Sequence, residues 1–338
     1  GHWRDAAAAG VVATAGDSGE ILITAKTAGV PFTLVVNNSN TAASAGSIAK
    51  DAIEANVFAS DVIVNTIADA TLVASELTTA SEVILGGAAT ATADDAAGLA
   101  SRLDISAHQL TINDYKSQSI APLSSSGAHT LIINTSGDQQ AALDSTELAL
   151  ATTINVGAGN ATAAAADAAA LADHIILGGN SLTVEGYTIE SLSAIDSTAA
   201  NSNLIINTAA GADLVAAALD DATVINLGAS ATATATDLST LLSKNVPAVV
   251  NLDGQTLSVG AYTTQDLSAI NSEAAGSLLE VTTVAGAVLV QSKLADATKI
   301  TLGDDAVAEG DQIVDLLSDT VIEVGSNVLT INEYGSGS

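Results

Sequence analysis

Residues 203–228 read NLIINTAAGADLVAAALDDATVINLG, and the order of patterns in this stretch decides the fold. It opens and closes with a short run of β-branched and aliphatic residues, and each run predicts a buried β-strand. The segment between them, residues 213–222, spaces its apolar residues as a short helix does. Alternating strands and helices indicate parallel strands joined by crossover helices.

The same alternation continues towards the C-terminus. Residues 236–244 (TDLSTLLSK) and residues 264–274 predict two more helices, the second with Leu267 and Ile270 on one face. Between them, residues 248–262 (AVVNLDGQTLSVGAY) predict one long strand, or two short strands around Asp253 and Gly254. Each strand–helix unit takes about 24 residues, which is the size of the strand-plus-helix units of solenoid proteins.

The arrangement recurs along the chain with a period of about 72 residues, and three independent markers agree on it. Similar strands end in a tyrosine at nearly equal intervals, at Tyr115, Tyr187, Tyr262 and Tyr334. A glycine follows another short strand with the same regularity, at Gly86, Gly157, Gly228 and Gly303. A threonine ends a third kind of strand, at Thr66, Thr135, Thr208 and Thr283.

The markers place the boundaries of the predicted domains. We expect a partial N-terminal module at residues 1–55, repeats at 56–127, 128–200 and 201–275, and a truncated repeat at 276–338. The expected fold class is α/β, a repetitive strand–helix solenoid with about three units per period. Open parallel α/β sheets stacked in series are the alternative. In the N-terminal module, residues 20–36 (EILITAKTAGVPFTLVV) predict a β-hairpin that turns at residues 27–29.

Composition and charge exclude several classes of protein. Among 338 residues, 8 Lys+Arg stand against 38 Asp+Glu, the formal charge is −30, and Cys and Met are absent. Without Cys there are no disulfides and no thiolate-bound metals, and so few basic residues do not fit a nucleic-acid backbone. No stretch is apolar enough for a membrane-spanning helix. Nucleophile-elbow and phosphate-loop motifs are missing, so we expect no enzyme.

Acidic residues provide the candidate metal site. The segment GDDAVAEGDQ carries Asp304, Asp305, Glu309 and Asp311, which are enough carboxylates for a calcium site, although a solvated acidic loop is the simpler interpretation. An aspartate also begins the second helix of each period, where it is expected to cap free backbone N–H groups and to suit the helix dipole. These four residues are Asp95, Asp167, Asp237 and Asp311.

Two other recurring side chains have structural interpretations. The tyrosines are expected to pack between neighbouring units and to hydrogen-bond through their hydroxyls, rather than to stack on sugar rings. Asn65, Asn134 and Asn207 precede the strand-ending threonines, and stacked asparagines can bond to one another along the turns of a solenoid.

Two stretches resemble bacterial surface proteins. Residues 6–36 (AAAAGVVATAGDSGEILITAKTAGVPFTLVV) look like the second half of a short module that recurs in large secreted surface proteins. The segments LTVEGYTIESLSAIDS and TLSVGAYTTQDLSAINS are similar to Thr/Ala/Ser-rich strand–helix repeats of giant bacterial adhesins and S-layer-like proteins. The resemblance implies an extracellular structural or adhesive role, and it assigns no functional residues. Both chain ends resemble cut points, so we expect a fragment of a longer protein.

The expected function is therefore that of a non-enzymatic structural component of a bacterial cell surface or extracellular matrix. An adhesin stalk, an S-layer and a self-assembling filament segment all fit, and each implies self-association into a homo-oligomer or polymer. The alternative is an adhesion module that binds a surface glycan or receptor, with Ca²⁺ as a stabilising ion.

Overall fold

The computed structural model describes residues 11–15, 21–25, 34–37, 62–333 and 335. The chain divides into two compact units, one made of residues 1–141 and 146–155, the other of residues 142–145 and 156–338. The α-helices among the described residues are α1 (Ala93–Leu99), α2 (Ala165–Ala170), α3 (Ala235–Ser243) and α4 (Gly310–Asp319). Short 3-10 helices lie at Ala100–Arg102, Ala172–His174 and Gln291–Lys293.

Short β-strands make up most of the regular structure. The first twelve are β1 (Val11–Ala15), β2 (Ile21–Ala25), β3 (Leu34–Asn37), β4 (Val62–Asn65), β5 (Ala70–Leu72), β6 (Glu82–Ile84), β7 (Ala89–Thr92), β8 (Leu103–Asp104), β9 (Gln109–Tyr115), β10 (Thr130–Thr135), β11 (Ala141–Leu143) and β12 (Thr153–Asn155). The next eight are β13 (Ala161–Ala164), β14 (Ile175–Ile176), β15 (Ser181–Tyr187), β16 (Asn203–Thr208), β17 (Ala212–Asp213), β18 (Ala222–Asn226), β19 (Ala231–Thr234) and β20 (Val249–Asn251). The last eight are β21 (Thr256–Tyr262), β22 (Ile270–Asn271), β23 (Leu278–Thr283), β24 (Ala287–Leu289), β25 (Lys299–Thr301), β26 (Ala306–Glu309), β27 (Val321–Glu323) and β28 (Leu329–Asn332).

Apart from β1 and β2, the strands form parallel sheets within each unit. In the first unit, one sheet has the order β3-β4-β6-β8, and another contains β5-β7-β9-β10-β12. In the second unit, the orders are β13-β15-β16-β18-β20-β22, β17-β19-β21-β23-β25-β27 and β24-β26-β28. Paired residues such as Ile132 and Thr153 lie about 21 positions apart in the chain, so each strand pairs with the strand one unit later. The predicted α/β class with parallel strands is confirmed, and open parallel sheets fit this arrangement.

The core is built from small aliphatic side chains that alternate along each strand. In β9, Leu110 and Ile112 are fully buried while the residues between them are partly exposed. The strands that precede the helices read ATAT, ATAA, ATAT and AVAE, and they bury every second residue, which is always alanine. Because alanine is small, a helix can follow such a strand directly and fold back onto its neighbour.

The helix prediction is right for one segment of each period and wrong for two. Residues 236–244 correspond to α3, as predicted. Residues 214–221 instead form tight turns between β17 and β18, in which the N–H of Ala218 donates to the carbonyl of Val215 (3.0 Å). The N–H of Leu214 donates to the carbonyl of Thr232 (2.8 Å) and ties the start of these turns to a later stretch of chain. Both Leu214 and Leu219 are still fully buried, so helical spacing here marks a turn over the core.

Residues 264–274 are the second wrong helix. The N–H of Leu267 donates to the carbonyl of Lys293 (3.0 Å), and the N–H of Ser268 donates to the carboxylate of Asp266 (3.0 Å). The bond to Asp266 uses an N–H that a helix over residues 264–274 would need, so it competes with the helix. Leu267 lies in the first turn of that expected helix, where an N–H has no helical partner, and its bond ties the segment to a later stretch of chain. Residues 270–271 form β22. Residues 248–262 form two strands, β20 and β21, which leaves Asp253 and Gly254 between them as the sequence predicts.

The N-terminal hairpin also differs from the prediction. β2 pairs antiparallel with β1, not with the segment after residue 29. β3 pairs in parallel with β4 instead, with Asn37 opposite Asn65. The reason lies in the LVVN pattern of β3, which matches the buried parallel strands and not a hairpin arm. The predicted turn at residues 27–29 lies outside the described residues.

Two of the sequence markers are contact partners. The N–H of Gly228 donates to the hydroxyl of Thr208 (3.3 Å), and the N–H of Gly303 donates to that of Thr283 (3.2 Å). Gly86 makes the same bond with Thr66 (3.2 Å). A Cβ atom on Gly228 would lie 2.5 Å from the carbonyl oxygen of Thr208, so only glycine lets the two backbones approach this closely.

A bulge turns each tyrosine into the core. The residue before it has a positive φ of 60° at Asp114, 72° at Gly186 and 57° at Ala261. The strand register shifts at the same places, in the pairs β9–β10, β15–β16 and β21–β23. The extra residue reverses the inward–outward alternation, so the side chain that follows points inward. Tyr115, Tyr187 and Tyr262 are therefore fully buried, as predicted, while Tyr334 lies outside the described residues.

We expect Gly228→Ala to destabilise the protein by about 1–3 kcal/mol, the usual cost of overpacking, because the new methyl group collides with the carbonyl of Thr208. Gly137→Ala is the matched control, since a Cβ atom there meets nothing within 4 Å. The measurement is the free energy of unfolding in urea. Equal effects of the two substitutions would show that the close approach is not needed.

Candidate functional site: the hydrogen-bond ladders between strands

An asparagine ladder runs across the first long sheet of the second unit. It starts at the carboxylate of Glu185, which accepts from the side-chain amide of Asn207 (2.9 Å). Asn226 donates in the same way to Asn207 (2.9 Å), Asn251 donates to Asn226 (2.7 Å), and Asn271 donates to Asn251 (2.8 Å). Parallel strands about 4.8 Å apart place identical side chains directly over one another. At this spacing, the side-chain amide of one asparagine can donate a hydrogen bond to the amide oxygen of the next.

A shorter ladder crosses the first unit. Asn134 donates to Asn113 (2.7 Å), and Asn155 donates to Asn134 (2.8 Å). The predicted bonding is thus confirmed at Asn134 and Asn207. The sequence reasoning missed the other members because it used the Asn-Thr marker, and the missed asparagines lack the following threonine. Their signal was the last position of short strands such as TIN, VVN and IN.

The helix-starting aspartates reach backwards to the preceding turn of chain. The carboxylate of Asp95 accepts from the N–H of Ala74 (2.8 Å), and that of Asp237 accepts from the N–H of Ala216 (3.0 Å). Asp167 accepts from both the N–H (3.0 Å) and the hydroxyl (2.6 Å) of Ser145. Each of these carboxylates therefore ties a helix to backbone 21 or 22 residues earlier.

The predicted capping role is shared with threonine. Thr92 and Thr234 occupy the N-caps of α1 and α3, where each accepts from the N–H of the aspartate. In return the threonine hydroxyls donate to the carboxylates of Asp95 (2.6 Å) and Asp237 (2.5 Å). This exchange fixes the carboxylate so that its other oxygen points to the preceding turn.

Asp311 does not belong to this set. Its carboxylate accepts from the N–H of the neighbouring Gln312 (2.9 Å) and does not reach back to the preceding turn. Gln312 occupies the third position of α4, where the other helices have aspartate, and its amide oxygen accepts from the N–H of Gln291 (3.0 Å). An amide oxygen therefore replaces the carboxylate in this contact.

Basic side chains tie neighbouring turns at the opposite ends of the helices. The guanidinium of Arg102 donates to the carbonyls of Thr78 (3.1 Å) and Ala80 (2.8 Å). The ammonium of Lys244 donates to the carbonyls of Leu219 (3.4 Å), Asp220 and Ala222 (2.7 Å). Burial lowers the pKa of Lys244, partly offset by the carboxylates of Asp220 and Asp221. These two basic side chains thus donate their hydrogen bonds to backbone carbonyls.

A carboxylate or an amide also orders the turn after each buried tyrosine. The carboxylate of Glu190 accepts from the N–H groups of Thr188 (2.8 Å) and Ile189 (3.0 Å). Burial raises the pKa of Glu190, but hydrogen bonds from these N–H groups and from the Thr188 hydroxyl outweigh burial and hold the pKa below its usual value. Gln118 and Gln265 make the same pair of backbone bonds in the equivalent turns.

The tyrosine hydroxyls differ from one another. That of Tyr187 donates to the carbonyl of Asp213 (3.3 Å), as the sequence predicts. That of Tyr262 is buried without a hydrogen-bond partner among the described residues. Burial, and to a smaller extent the Asp266 carboxylate, raises the pKa of Tyr262 to about 12. Because these rings are fully buried, they offer no stacking surface to a sugar.

Three of the four carboxylates predicted as a calcium site accept from different backbone N–H groups. Asp304 accepts from the N–H of Asp305 (2.7 Å), and Asp305 accepts from the N–H of Val328 (2.7 Å). Glu309 is the N-cap of α4, and Asp311 bonds to Gln312. Within the described ranges, no group of three or more His, Asp or Glu side chains is placed to hold a metal ion. The structure does not bring Asp304, Asp305, Glu309 and Asp311 together.

A shallow depression in the first unit illustrates how the charged groups are used. It is lined by Ile63, Ser81, Glu82, Ser101, Arg102, Asp104 and Ser124. Arg102 is engaged by backbone carbonyls, as above. Asp104 accepts from the N–H groups of Ser106 (2.7 Å) and Ser126 (3.0 Å), and these bonds lower its pKa although burial acts to raise it. Arg102 and Asp104 thus both bond to the backbone.

Comparison with known proteins gave no relative: no family model, curated protein or solved structure matches this chain. Of the helices that the structure describes, none combines the length and the apolar character needed to cross a membrane.

We expect Asp237→Ala to lower the free energy of unfolding by about 1.5–3 kcal/mol, the usual worth of a hydrogen bond to a charged group. The substitution frees the N–H of Ala216 and the hydroxyl of Thr234. Asp237→Asn should lose less, because Gln312 shows that an amide oxygen can serve. Asp311→Ala is the control, with an expected effect within about 0.5 kcal/mol. Similar losses of unfolding free energy in Asp237→Ala and Asp311→Ala would show that the bond between Asp237 and the preceding turn does not stabilise the fold.

The turn at Glu190 gives a pH prediction. Because its pKa is lower in the folded chain than its ordinary value of 4.5, ionised Glu190 stabilises the fold above that pH, and the contribution disappears as the pH falls through the folded value. Glu190→Gln should keep the turn, as Gln118 and Gln265 do, and should remove this part of the acid sensitivity. The measurement is urea unfolding between pH 6 and about 3. A pH dependence that is unchanged in Glu190→Gln would contradict this prediction. Glu76→Gln, at an exposed position, is the control.

Proposed function

We propose that this chain is a non-enzymatic structural segment of a bacterial cell surface or extracellular matrix, such as part of an adhesin stalk, an S-layer or a filament. Its task is mechanical: to hold a length of stiff, acidic, cysteine-free polypeptide in a fixed form. The observation that carries the proposal is the set of side-chain bonds that tie each turn of chain to the turn about 21 residues earlier.

Stacked turns of this kind support a solenoid with periods of about 72 residues. The short strands β5, β11, β17 and β24 begin at residues 70, 141, 212 and 287. Their spacing is that of the marker glycines in the sequence. In a solenoid each repeat contacts its neighbours only, so stability is a sum of nearest-neighbour terms. Those terms would be the asparagine ladders, the bonds of the helix-starting aspartates to the preceding turn, and the bonds of Arg102 and Lys244 to backbone carbonyls.

The chemistry of the side chains also supports an exposed structural role. The charged groups described above bond mainly to backbone, which stabilises the fold and leaves them unavailable for catalysis or recognition. The formal charge of −30 keeps a chain of mean hydropathy +0.42 soluble and discourages non-specific contacts. The glycan-binding alternative is less well supported, because Tyr115, Tyr187 and Tyr262 are buried.

Single-molecule stretching tests the mechanical role. We expect stepwise unfolding, with about 25 nm of chain released per period, because an extended residue spans about 3.3–3.6 Å. Asn226→Ala, which removes two ladder bonds, should lower the unfolding force of one step only. Extension with no resisting steps, or a single event for the whole chain, would overturn the mechanical proposal. Surface location is tested separately, by protease accessibility on intact cells of the source organism.

A further inference from the structure

The three tyrosine bulges differ in the residue that carries the positive φ. Ala261 has a φ of 57° before Tyr262, whereas Gly186 has a φ of 72° before Tyr187. The left-handed conformation strains a residue that has a Cβ atom, and glycine adopts it without that strain. The first period has Asp114 at this position (φ 60°), and aspartate is one of the few other residues that visit the region. The backbone is therefore most strained at the bulge of β21.

The tyrosine that follows this bulge also has the less favourable surroundings. The rings of Tyr187 and Tyr262 are both fully buried, so both hydroxyls have lost their contact with water. The hydroxyl of Tyr187 donates to the carbonyl of Asp213 (3.3 Å), but that of Tyr262 has no hydrogen-bond partner among the described residues. A hydroxyl that is buried without a hydrogen bond destabilises the folded state.

The side-chain bond that ties the two strands in the second period cannot form in the third. In the second period, the carboxylate of Glu185 in β15 accepts from the amide of Asn207 in β16 (2.9 Å). Gly260 in β21 and Thr282 in β23 hold the same two positions, counted from the tyrosine and from the strand-ending threonine. Because glycine has no side chain, this rung of the asparagine ladder is lost between β21 and β23.

The backbone bond that closes each strand pair is longer in the third period than in the second. The N–H of Val284 donates to the carbonyl of Tyr262 at 3.1 Å, whereas the N–H of Ala209 donates to the carbonyl of Tyr187 at 2.8 Å. The amides of Val284 and Ala209 therefore report on equivalent places in the two strand pairs.

We propose that the strand pair β21–β23 is the point at which this fold opens first, and that the chain yields there under tension while its other periods stay folded. Proteins open locally where the stabilisation is smallest. Strained backbone persists only where the surrounding structure holds it, and such strain is often part of a mechanism. Here the strained alanine, the unpaired hydroxyl and the lost ladder bond all weaken one strand pair. The proposal deepens the mechanical function proposed above and rests on it.

Hydrogen exchange of backbone amides tests the opening point without applied force. We expect the amide of Val284 to exchange faster than that of Ala209. Ala261→Gly should slow exchange at Val284 about fivefold, because glycine relieves the strain. Gly186→Ala is the reciprocal variant and should speed exchange at Ala209; a Cβ atom there meets nothing within 4 Å, so it changes the strain and not the packing. Equal exchange at the two amides, or exchange at Val284 unchanged by Ala261→Gly, would overturn the proposal.

The hydroxyls provide a second pair of variants, with expected effects of opposite sign. Tyr262→Phe removes a buried hydroxyl that has no partner, so it should slow exchange at Val284. Tyr187→Phe removes a hydrogen bond, so it should speed exchange at Ala209. A change of the same sign in both variants would contradict the assignment of β21–β23 as the weak pair.

Single-molecule stretching connects the opening point to the mechanical function. We expect the unmodified chain to show one step at a lower force than the others. A chain with both Ala261→Gly and Tyr262→Phe should lose this low-force step, and a chain with both Gly186→Ala and Tyr187→Phe should gain a second one. A low-force step that persists in the first of these chains would overturn the proposal. Extension without any steps would instead overturn the mechanical function, and hydrogen exchange would still show where the fold opens.

Discussion

The fold depends on the spacing of parallel strands, about 4.8 Å from one to the next. Whatever stands at one position of a strand lies directly beside the residue about 21 positions later, so side chains must be able to stack on their own kind. Alanine, valine, isoleucine and leucine do so on the buried side of the strands. Asparagine does so on the partly exposed side, because its amide has a donor and an acceptor in line with the stacking direction.

The same constraint explains how charge is used. A carboxylate on one turn meets backbone N–H groups of the turn before it, as Asp95 and Asp237 do, and a lysine or arginine meets carbonyls, as Lys244 and Arg102 do. A surface salt bridge contributes little by comparison, and the one between Lys299 and Glu323 (2.9 Å) is exposed. Bonds between charged groups and backbone are stronger and less sensitive to salt than such a surface pair.

How far the sequence predicts the structure varies with the range of the interaction. The strands, the buried tyrosines, and the ladder bonds at Asn134 and Asn207 follow from local pattern and repetition, and they were predictable. Segments 213–222 and 264–274 were not, because their spacing of apolar residues fits a helix as well as a turn, and the sequence does not show the bonds from Leu214 and Leu267 to a later stretch of chain that accompany the turns. Asp311 was misplaced by one residue for the same reason: only the contact to Gln291 shows that Gln312 holds the equivalent position.

The contact between Gly228 and Thr208 has a genetic consequence. It joins positions 20 residues apart and leaves no space for a larger side chain. The contact therefore fixes which residue of one turn lies opposite which residue of the turn before it. A duplication or deletion of DNA that encodes a whole period keeps every glycine opposite its threonine, and the lengthened or shortened product folds by the same rules. An insertion of a few codons is tolerated only where a turn can lengthen without moving a glycine away from its threonine, as between Asn226 and Asn251, which lie 25 residues apart. Unequal recombination between the repeats can thus change the length of this protein in whole periods, without any new packing having to arise.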